Sequence, residues 1–116
     1  MVMGEGAAVF VFEDYAQAKR RGADILAEVI GFSMSSDASD LVVPSVGGAA
    51  RAIAGALRDA HLNTQDVAYI NAHGTGTAAN DKTECAAIAQ VFGDHARLLM
   101  VSATKRSEER RVGKEC

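Results

Sequence analysis

Basic residues, cysteines and long apolar runs are all scarce in this sequence, and each scarcity excludes a class of protein. Twelve lysines and arginines are set against fifteen aspartates and glutamates, so the net charge is −3 and no chain-wide positive field attracts nucleic acid or anionic lipid. No apolar run approaches the roughly 18–20 residues that cross a bilayer. The N-terminus also lacks the basic-then-apolar order of a signal peptide. We therefore expect a cytoplasmic protein with no nucleic-acid partner and no membrane span.

The two cysteines, Cys85 and Cys116, are too few to predict a disulfide framework, and CxxC metal spacing is absent. Cys85 stands among alanines in a predicted helix, where a cysteine is usually a small buried hydrophobic residue. A length of 116 residues allows one small domain or part of a larger one. With 48% hydrophobic and 23% charged residues, the chain has enough apolar side chains for a packed core.

Short apolar runs bounded by glycine or polar residues predict four strands. The first is expected to be buried on both faces, because it is a continuous apolar run rather than an alternating one. The predicted strands are 7–12, 25–32, 67–72 and 98–102.

Helical spacing predicts the elements between these strands. Asp14 is expected to cap a short helix that Gly22 ends, and an amphipathic helix is predicted over 48–61. A further helix is predicted from about Asp81 to a stop at Gly93. Strands and helices therefore alternate, as is typical of a layered α/β fold.

The strongest chemical signal is the segment from Asn71 to Glu84, which puts His73 just past a strand end. Ligands in open α/β sheets collect outside the carboxyl ends of strands. The glycines at 74 and 76 permit close backbone approach to a substrate, and the hydroxyls of Thr75 and Thr77 can orient it or bind a phosphate-bearing arm. From spacing alone, a functional loop and a satisfied structural turn both stay open.

Acidic residues near His73 allow other interpretations that the spacing disfavours. Asp81 and Glu84 lie three apart at the start of the predicted helix, where they favour the positive end of the helix dipole. A zinc site would need a second histidine at paired spacing, and a phosphate-binding loop would need a Gly-Lys-Ser/Thr ending. Neither is present, so no metal site is predicted.

Taken together, these residues resemble a known motif. The segment from Asn71 to Glu84 is similar to the histidine motif of β-ketoacyl-acyl carrier protein synthases of the thiolase superfamily, and the similarity extends over almost all of residues 3–105. The other matching segments are Met3–Ala7, Ser35–Ala38, Gly48–Ala52, Val91–Ala96 and Val101–Lys105.

The resemblance implies an incomplete part of a thiolase-like, layered αβαβα fold. Residues 1–27 would end the N-terminal half of a synthase, and 28–105 would begin its C-terminal half. The implied reaction is decarboxylative Claisen condensation of malonyl-acyl carrier protein with an acyl thioester in fatty acid biosynthesis. The family forms homodimers and needs no cofactor besides the phosphopantetheine arm of its acyl carrier protein substrate.

The resemblance also implies roles for particular residues. His73 would hold the thioester carbonyl and stabilise the enolate that forms on decarboxylation, as a neutral imidazole can by donating a hydrogen bond. Lys105 would organise the active site through its charge, and Glu84 would be its acidic partner. Thr75 and Thr77 would contact the pantetheine arm.

Two further catalytic residues of the family have no match in the chain. The nucleophilic cysteine would lie upstream, and the second histidine would follow Lys105, where the sequence changes to a charged tail. His61 and His95 do not match that histidine and are predicted to be surface residues. The polypeptide itself is therefore expected to be inactive.

The tail, 106–116, has two interpretations. Its composition is that of a solvated terminus, and its sequence also looks like the in-frame translation of a sequencing adapter, which would make it non-native.

For the rest of the chain, a non-catalytic subunit of the chain-length-factor type is an alternative, although His73, Glu84 and Lys105 favour the active type. A small α/β domain with a structural histidine loop is the third possibility.

Overall fold

The computed structural model describes residues 7–40 and 43–104, and helices and strands alternate in that part of the chain. The helices are α1 (Tyr15–Arg20), α2 (Val46–Asp59) and α3 (Ala78–Phe92), the strands are β1 (Tyr69–Ala72) and β2 (Met100–Ala103), and short 3₁₀ turns lie at Thr64–Asp66 and Gly93–Arg97. The predicted α/β class is confirmed.

The arrangement of α3 follows from the pairing of the two strands. β1 and β2 are parallel, with Tyr69 opposite Met100 and Ala72 opposite Ala103. Parallel neighbours require a crossover connection, and α3 is that connection. α3 packs against α2, and the small buried cluster of Ala50, Ala87, Ile88 and Phe92 comes from these two helices.

Hydroxyl caps explain why both long helices begin earlier than the sequence pattern predicts. The side chain of Ser45 accepts a hydrogen bond from the amide three residues on at 3.0 Å, so α2 begins at Val46. Thr77 does the same at 3.4 Å, so α3 begins at Ala78 rather than at about Asp81. Such caps satisfy amides that a first helical turn leaves without partners.

Other predicted element ends are confirmed. Asp14 caps α1 by accepting a hydrogen bond from the amide of Gln17 at 3.0 Å. Gly93 ends α3 with a φ of 54°, in the region that favours glycine. The two strands overlap the predicted runs but are shorter, and β2 ends at Ala103 rather than at 102.

The predicted strands 7–12 and 25–32 are wrong. Neither segment belongs to a sheet. Val11 is 92% exposed although the first segment was predicted to be buried, and Leu26 in the second segment is 93% exposed. A strand buried on both faces needs neighbouring strands on its edges and covering layers, and the described part of the chain supplies only the β1–β2 pair. The second segment is instead tied to α2, because the amide of Phe32 donates to a carboxylate oxygen of Asp59 at 2.8 Å.

Gly31 shows how closely that segment lies against the end of α2. We expect Gly31→Ala to lower the free energy of unfolding by about 1–3 kcal/mol, as overpacking does. The added Cβ would lie 2.6 Å from the Ala60 Cβ and 2.7 Å from its backbone nitrogen. Urea unfolding would measure the loss. The control is Gly47→Ala, where the added Cβ would lie 3.5 Å from a nitrogen of the flexible Arg51 guanidinium. Equal stability of the two variants would contradict the prediction.

The carboxylate of Asp37 ties the loop before α2 to the start of that helix. It accepts hydrogen bonds from the amide of Ser45 and, at 2.8 Å, from the hydroxyl of Ser39. These hydrogen bonds lower the pKa of Asp37 from 3.8 to about 2, and the bond from the Ser45 amide makes the largest contribution. Because the folded pKa lies below the unfolded one, the stabilisation is complete above pH 3.8 and is lost as the pH falls through about 2.

We therefore expect Asp37→Asn to lower the melting temperature near neutral pH and to have little effect at a pH of about 2. Thermal unfolding followed by circular dichroism across this range is the measurement. Asp24→Asn is the control, because its side chain makes no hydrogen bond within the described residues. A pH-independent loss in the Asp37 variant would show that the carboxylate charge is not the cause.

Candidate active site

The site begins where β1 ends. His73 follows the last strand residue, Ala72, and the loop continues to Thr77, the cap of α3. The His73 side chain is exposed, and none of the residues that the structure describes forms a hydrogen bond with its imidazole ring. Both ring nitrogens are therefore free of hydrogen bonds to the described residues.

Glu84 holds the backbone of this loop. Its Oε1 accepts a hydrogen bond from the amide of His73 at 2.7 Å, and its Oε2 accepts one from the amide of Gly74 at 2.9 Å. The side-chain amide of Asn80 donates to the same Oε2 at 3.4 Å. Charge-assisted bonds of this kind are among the stronger ones in proteins, so the carboxylate fixes the backbone that carries His73.

Thr75 and Thr77 lie on the exposed side of the loop. Their hydroxyl oxygens are 2.9 Å apart, within hydrogen-bond distance of each other. Thr77 also caps α3 through the same oxygen. The structure thus brings together His73, Thr75, Thr77 and Glu84 within one loop and the helix that follows.

The loop also approaches the end of β2. Gly74 has a φ of 46°, and a Cβ added to it would lie 2.2 Å from the Cβ of Ala103. A side chain at position 74 would therefore force the loop and β2 apart. The sequence indicated a close approach of this glycine to a substrate, whereas the structure shows its close approach to a neighbouring strand.

Side chains on one face of the two strands form cross-strand hydrogen bonds. The hydroxyls of Tyr69 and Ser102 are 2.6 Å apart, and the side-chain amide of Asn71 donates to Thr104 at 3.4 Å. Thr104 is followed in sequence by Lys105, which lies outside the described residues together with the tail 106–116. The predictions for Lys105 and for the tail therefore stay predictions.

Two residues are placed differently from the prediction. Cys85 is exposed rather than buried, because the following turn of α3, with Ala87 and Ile88, supplies the residues that face the core. His95 is half-buried rather than on the surface, since a ring nitrogen lies 2.8 Å from the carbonyl oxygen of Val67. His61 is exposed, as predicted.

No group of three or more histidine, cysteine or acidic side chains in residues 7–40 and 43–104 is placed to hold a metal ion. Among the helices of the same residues, none has the length and apolar character that a membrane crossing requires.

Replacing Glu84 tests its hold on the loop. We expect Glu84→Ala to lower the free energy of unfolding by about 1–3 kcal/mol, since it leaves two amides without their partner, and Glu84→Gln to cost less because one acceptor remains. The amide signals of His73 and Gly74 in ¹H–¹⁵N NMR spectra should shift most. Asp81→Asn, three residues away on the same helix, is the matched control. Unchanged His73 and Gly74 signals in Glu84→Ala would contradict the assignment.

Comparison with known proteins connects this site to a family. A family model described as "Beta-ketoacyl synthase, C-terminal domain" matches residues 26–108. The chain is 55% identical over 105 residues to Nodulation protein E of Rhizobium leguminosarum bv. trifolii, covering 90% of this chain and 26% of that protein. It is 49% identical over 106 residues to 3-oxoacyl-(acyl-carrier-protein) synthase 2 of Synechocystis sp., again covering 90% of this chain and 26% of the relative.

The fold agrees with these sequence matches. A solved structure of a type II PKS acyl-carrier protein in complex with its ketosynthase bound to the hexaketide superposes with a TM-score of 0.72 and 37% identity, over 78% of this chain and 23% of that one. The predicted origin in the thiolase-like fold is confirmed, and the chain spans about a quarter of the length of the proteins it matches. Because the family model matches more than half of its residues, this chain belongs to the β-ketoacyl synthase family.

Proposed function

We propose that this chain supplies the His73 part of the active site of a 3-oxoacyl-acyl carrier protein synthase. The proposed reaction is decarboxylative Claisen condensation of malonyl-acyl carrier protein with an acyl thioester in fatty acid biosynthesis. The observation that carries the proposal is the His73 loop. It presents an exposed imidazole that has no hydrogen-bonding partner among the described residues, and Glu84 accepts hydrogen bonds from the amides on either side of the His73 Cα.

The proposed chemistry gives His73 one task. The bond between the malonyl carboxylate and the α-carbon breaks, carbon dioxide leaves, and the electron pair forms an enolate of the thioester. The imidazole donates a hydrogen bond to the thioester oxygen as negative charge develops there, which lowers the barrier most when the donor is already in position. The enolate carbon then attacks the acyl thioester held on the synthase's nucleophilic cysteine, a carbon–carbon bond forms, and the cysteine thiolate leaves.

Glu84 contributes by positioning in this scheme. Its carboxylate bonds to backbone amides rather than to the imidazole, so it acts through the place and orientation of His73. A hydrogen-bond donor loses much of its catalytic effect when it is displaced, since small displacements of a reacting group lower the reaction rate strongly. Lys105 is assigned the organising charge that the family resemblance gives it.

The proposed substrate arm runs along the threonine side of the loop. We assign Thr75 and Thr77 to the pantetheine arm of acyl carrier protein, since both hydroxyls are exposed beside His73. The names of the Synechocystis sp. relative and of the ketosynthase complex both include an acyl-carrier protein, which supports this partner. The proposal requires no further cofactor, and it places the parent enzyme in the cytoplasm as a homodimer.

The 116-residue polypeptide alone is proposed to be inactive. The nucleophilic cysteine and the second histidine have no counterpart among its residues. Cys85 is not a substitute, because it follows the positioning residue Glu84 on α3 and the motif gives it no such role. We expect no carbon dioxide release from malonyl-acyl carrier protein and no ketoacyl product; either one, measured with purified residues 1–116, would contradict this proposal.

A hybrid enzyme tests the role of His73 separately. Residues 26–105 would replace the matching segment of the Synechocystis sp. synthase, and ¹⁴CO₂ release from labelled malonyl-acyl carrier protein would be measured. We expect His73→Ala to reduce decarboxylation about 10²–10³-fold, the loss usual for a donor to a developing oxyanion. His61→Ala, an exposed histidine at the end of α2, should leave the rate unchanged. Equal rates for the two variants would contradict the assignment.

A further inference from the structure

Two cross-strand side-chain bonds join β1 and β2 on the same face, at different distances from His73. In the strand register Asn71 lies opposite Ser102, and each bond connects a β1 residue to the chain two residues beyond its register partner. The Tyr69–Ser102 bond of 2.6 Å lies at the start of β1. The Asn71–Thr104 bond of 3.4 Å lies at its end, two residues before His73.

A second contact joins the same ends of the strands. Gly74 and Ala103 approach so closely that an added Cβ on the glycine would lie 2.2 Å from the alanine Cβ. The His73 loop is thus flanked by two contacts with β2, one through Asn71 before the histidine and one through Gly74 after it. Both involve consecutive residues of β2 and its extension, Ala103 and Thr104.

We propose that the end of β2 positions His73, with Asn71 and Thr104 as positioning residues for the enolate-stabilising imidazole; this inference rests on the proposed function. β1 is only four residues long, so its end depends on contacts beyond its own ladder. The imidazole itself has no hydrogen-bonding partner among the described residues, so its position is set by the backbone on either side. Glu84 holds that backbone from α3, and Asn71–Thr104 holds it from β2.

This arrangement distinguishes the two cross-strand bonds. Both stabilise the strand pair, because cross-strand pairs are the usual unit of sheet stabilisation. Only the Asn71–Thr104 bond adjoins the loop. Loss of the Tyr69–Ser102 bond should therefore weaken the pair as a whole, whereas loss of the Asn71–Thr104 bond should loosen His73 specifically.

Amide hydrogen exchange in the 116-residue chain is the first test. In Thr104→Val, which keeps the side-chain shape but removes the acceptor, the amides of His73 and Gly74 should exchange about fivefold faster relative to those of α2, the factor expected for one lost hydrogen bond. Thr104→Ser should restore the original ratio. Tyr69→Phe is the matched control and should leave the ratio unchanged. With ¹⁵N-labelled histidine, the ring signals of His73 should move in Thr104→Val, while those of His61 and His95 serve as internal references.

The hybrid synthase is the second test, and it applies if the isolated chain gives no protected amides. There Thr104→Val should lower the kcat for decarboxylation about tenfold with little change in KM, as expected for a misplaced transition-state contact. Thr104→Ser should restore kcat, and Tyr69→Phe should retain it.

The outcomes separate this inference from the proposed function. Equal effects of Thr104→Val and Tyr69→Phe on the exchange ratio or on kcat, or no rescue by Thr104→Ser, would overturn the positioning role. If His73→Ala leaves the hybrid fully active, the proposed function fails instead. The exchange test would in that case still decide whether β2 positions the loop.

Discussion

The site depends on one carboxylate and two backbone amides. Glu84, on the second turn of α3, accepts hydrogen bonds from the amides of His73 and Gly74, so the helix that follows the loop determines where the loop lies. Because α3 also connects β1 to β2, this contact joins the loop after β1 to the helix that leads to β2. From the sequence pattern alone, Glu84 was expected to interact with the dipole of the helix that carries it. A carboxylate near a helix start has a second possible use, since it can satisfy the amides of the chain entering that helix.

Sequence reasoning succeeded where a local cause decides the structure. The cap at Asp14, the stop at Gly93 and the position of His73 after a strand all follow from residues within a few positions of one another. Both long helices began early for an equally local reason, the hydroxyl caps, and Ser45 and Thr77 are residue types from which those starts could have been predicted.

Sequence reasoning failed where distant partners decide. The runs 7–12 and 25–32 have strand composition, but a strand exists only beside another strand, and composition does not say whether one is available. The predictions that Cys85 is buried and that His95 lies on the surface were wrong for a related reason. Which side of α3 meets α2, and which carbonyl a histidine ring reaches across the fold, depend on tertiary packing. The Asn71–Thr104 bond could not be predicted either, because the sequence of neither strand determines the parallel register that produces it.

The two functions of the Thr77 hydroxyl have a consequence for ligand affinity. A hydroxyl has one proton to donate and can accept two hydrogen bonds, and Thr77 already accepts one from α3 while lying 2.9 Å from the Thr75 oxygen. In either direction of the bond between the threonines, the pair keeps one hydroxyl proton to donate and two lone pairs that can accept. Under the proposed function, a pantetheine carbonyl and a pantetheine amide could therefore bind here without breaking the existing bonds. Because such bonds replace bonds to water, they yield little net free energy, so the threonine pair would contribute to the alignment of the arm more than to its affinity.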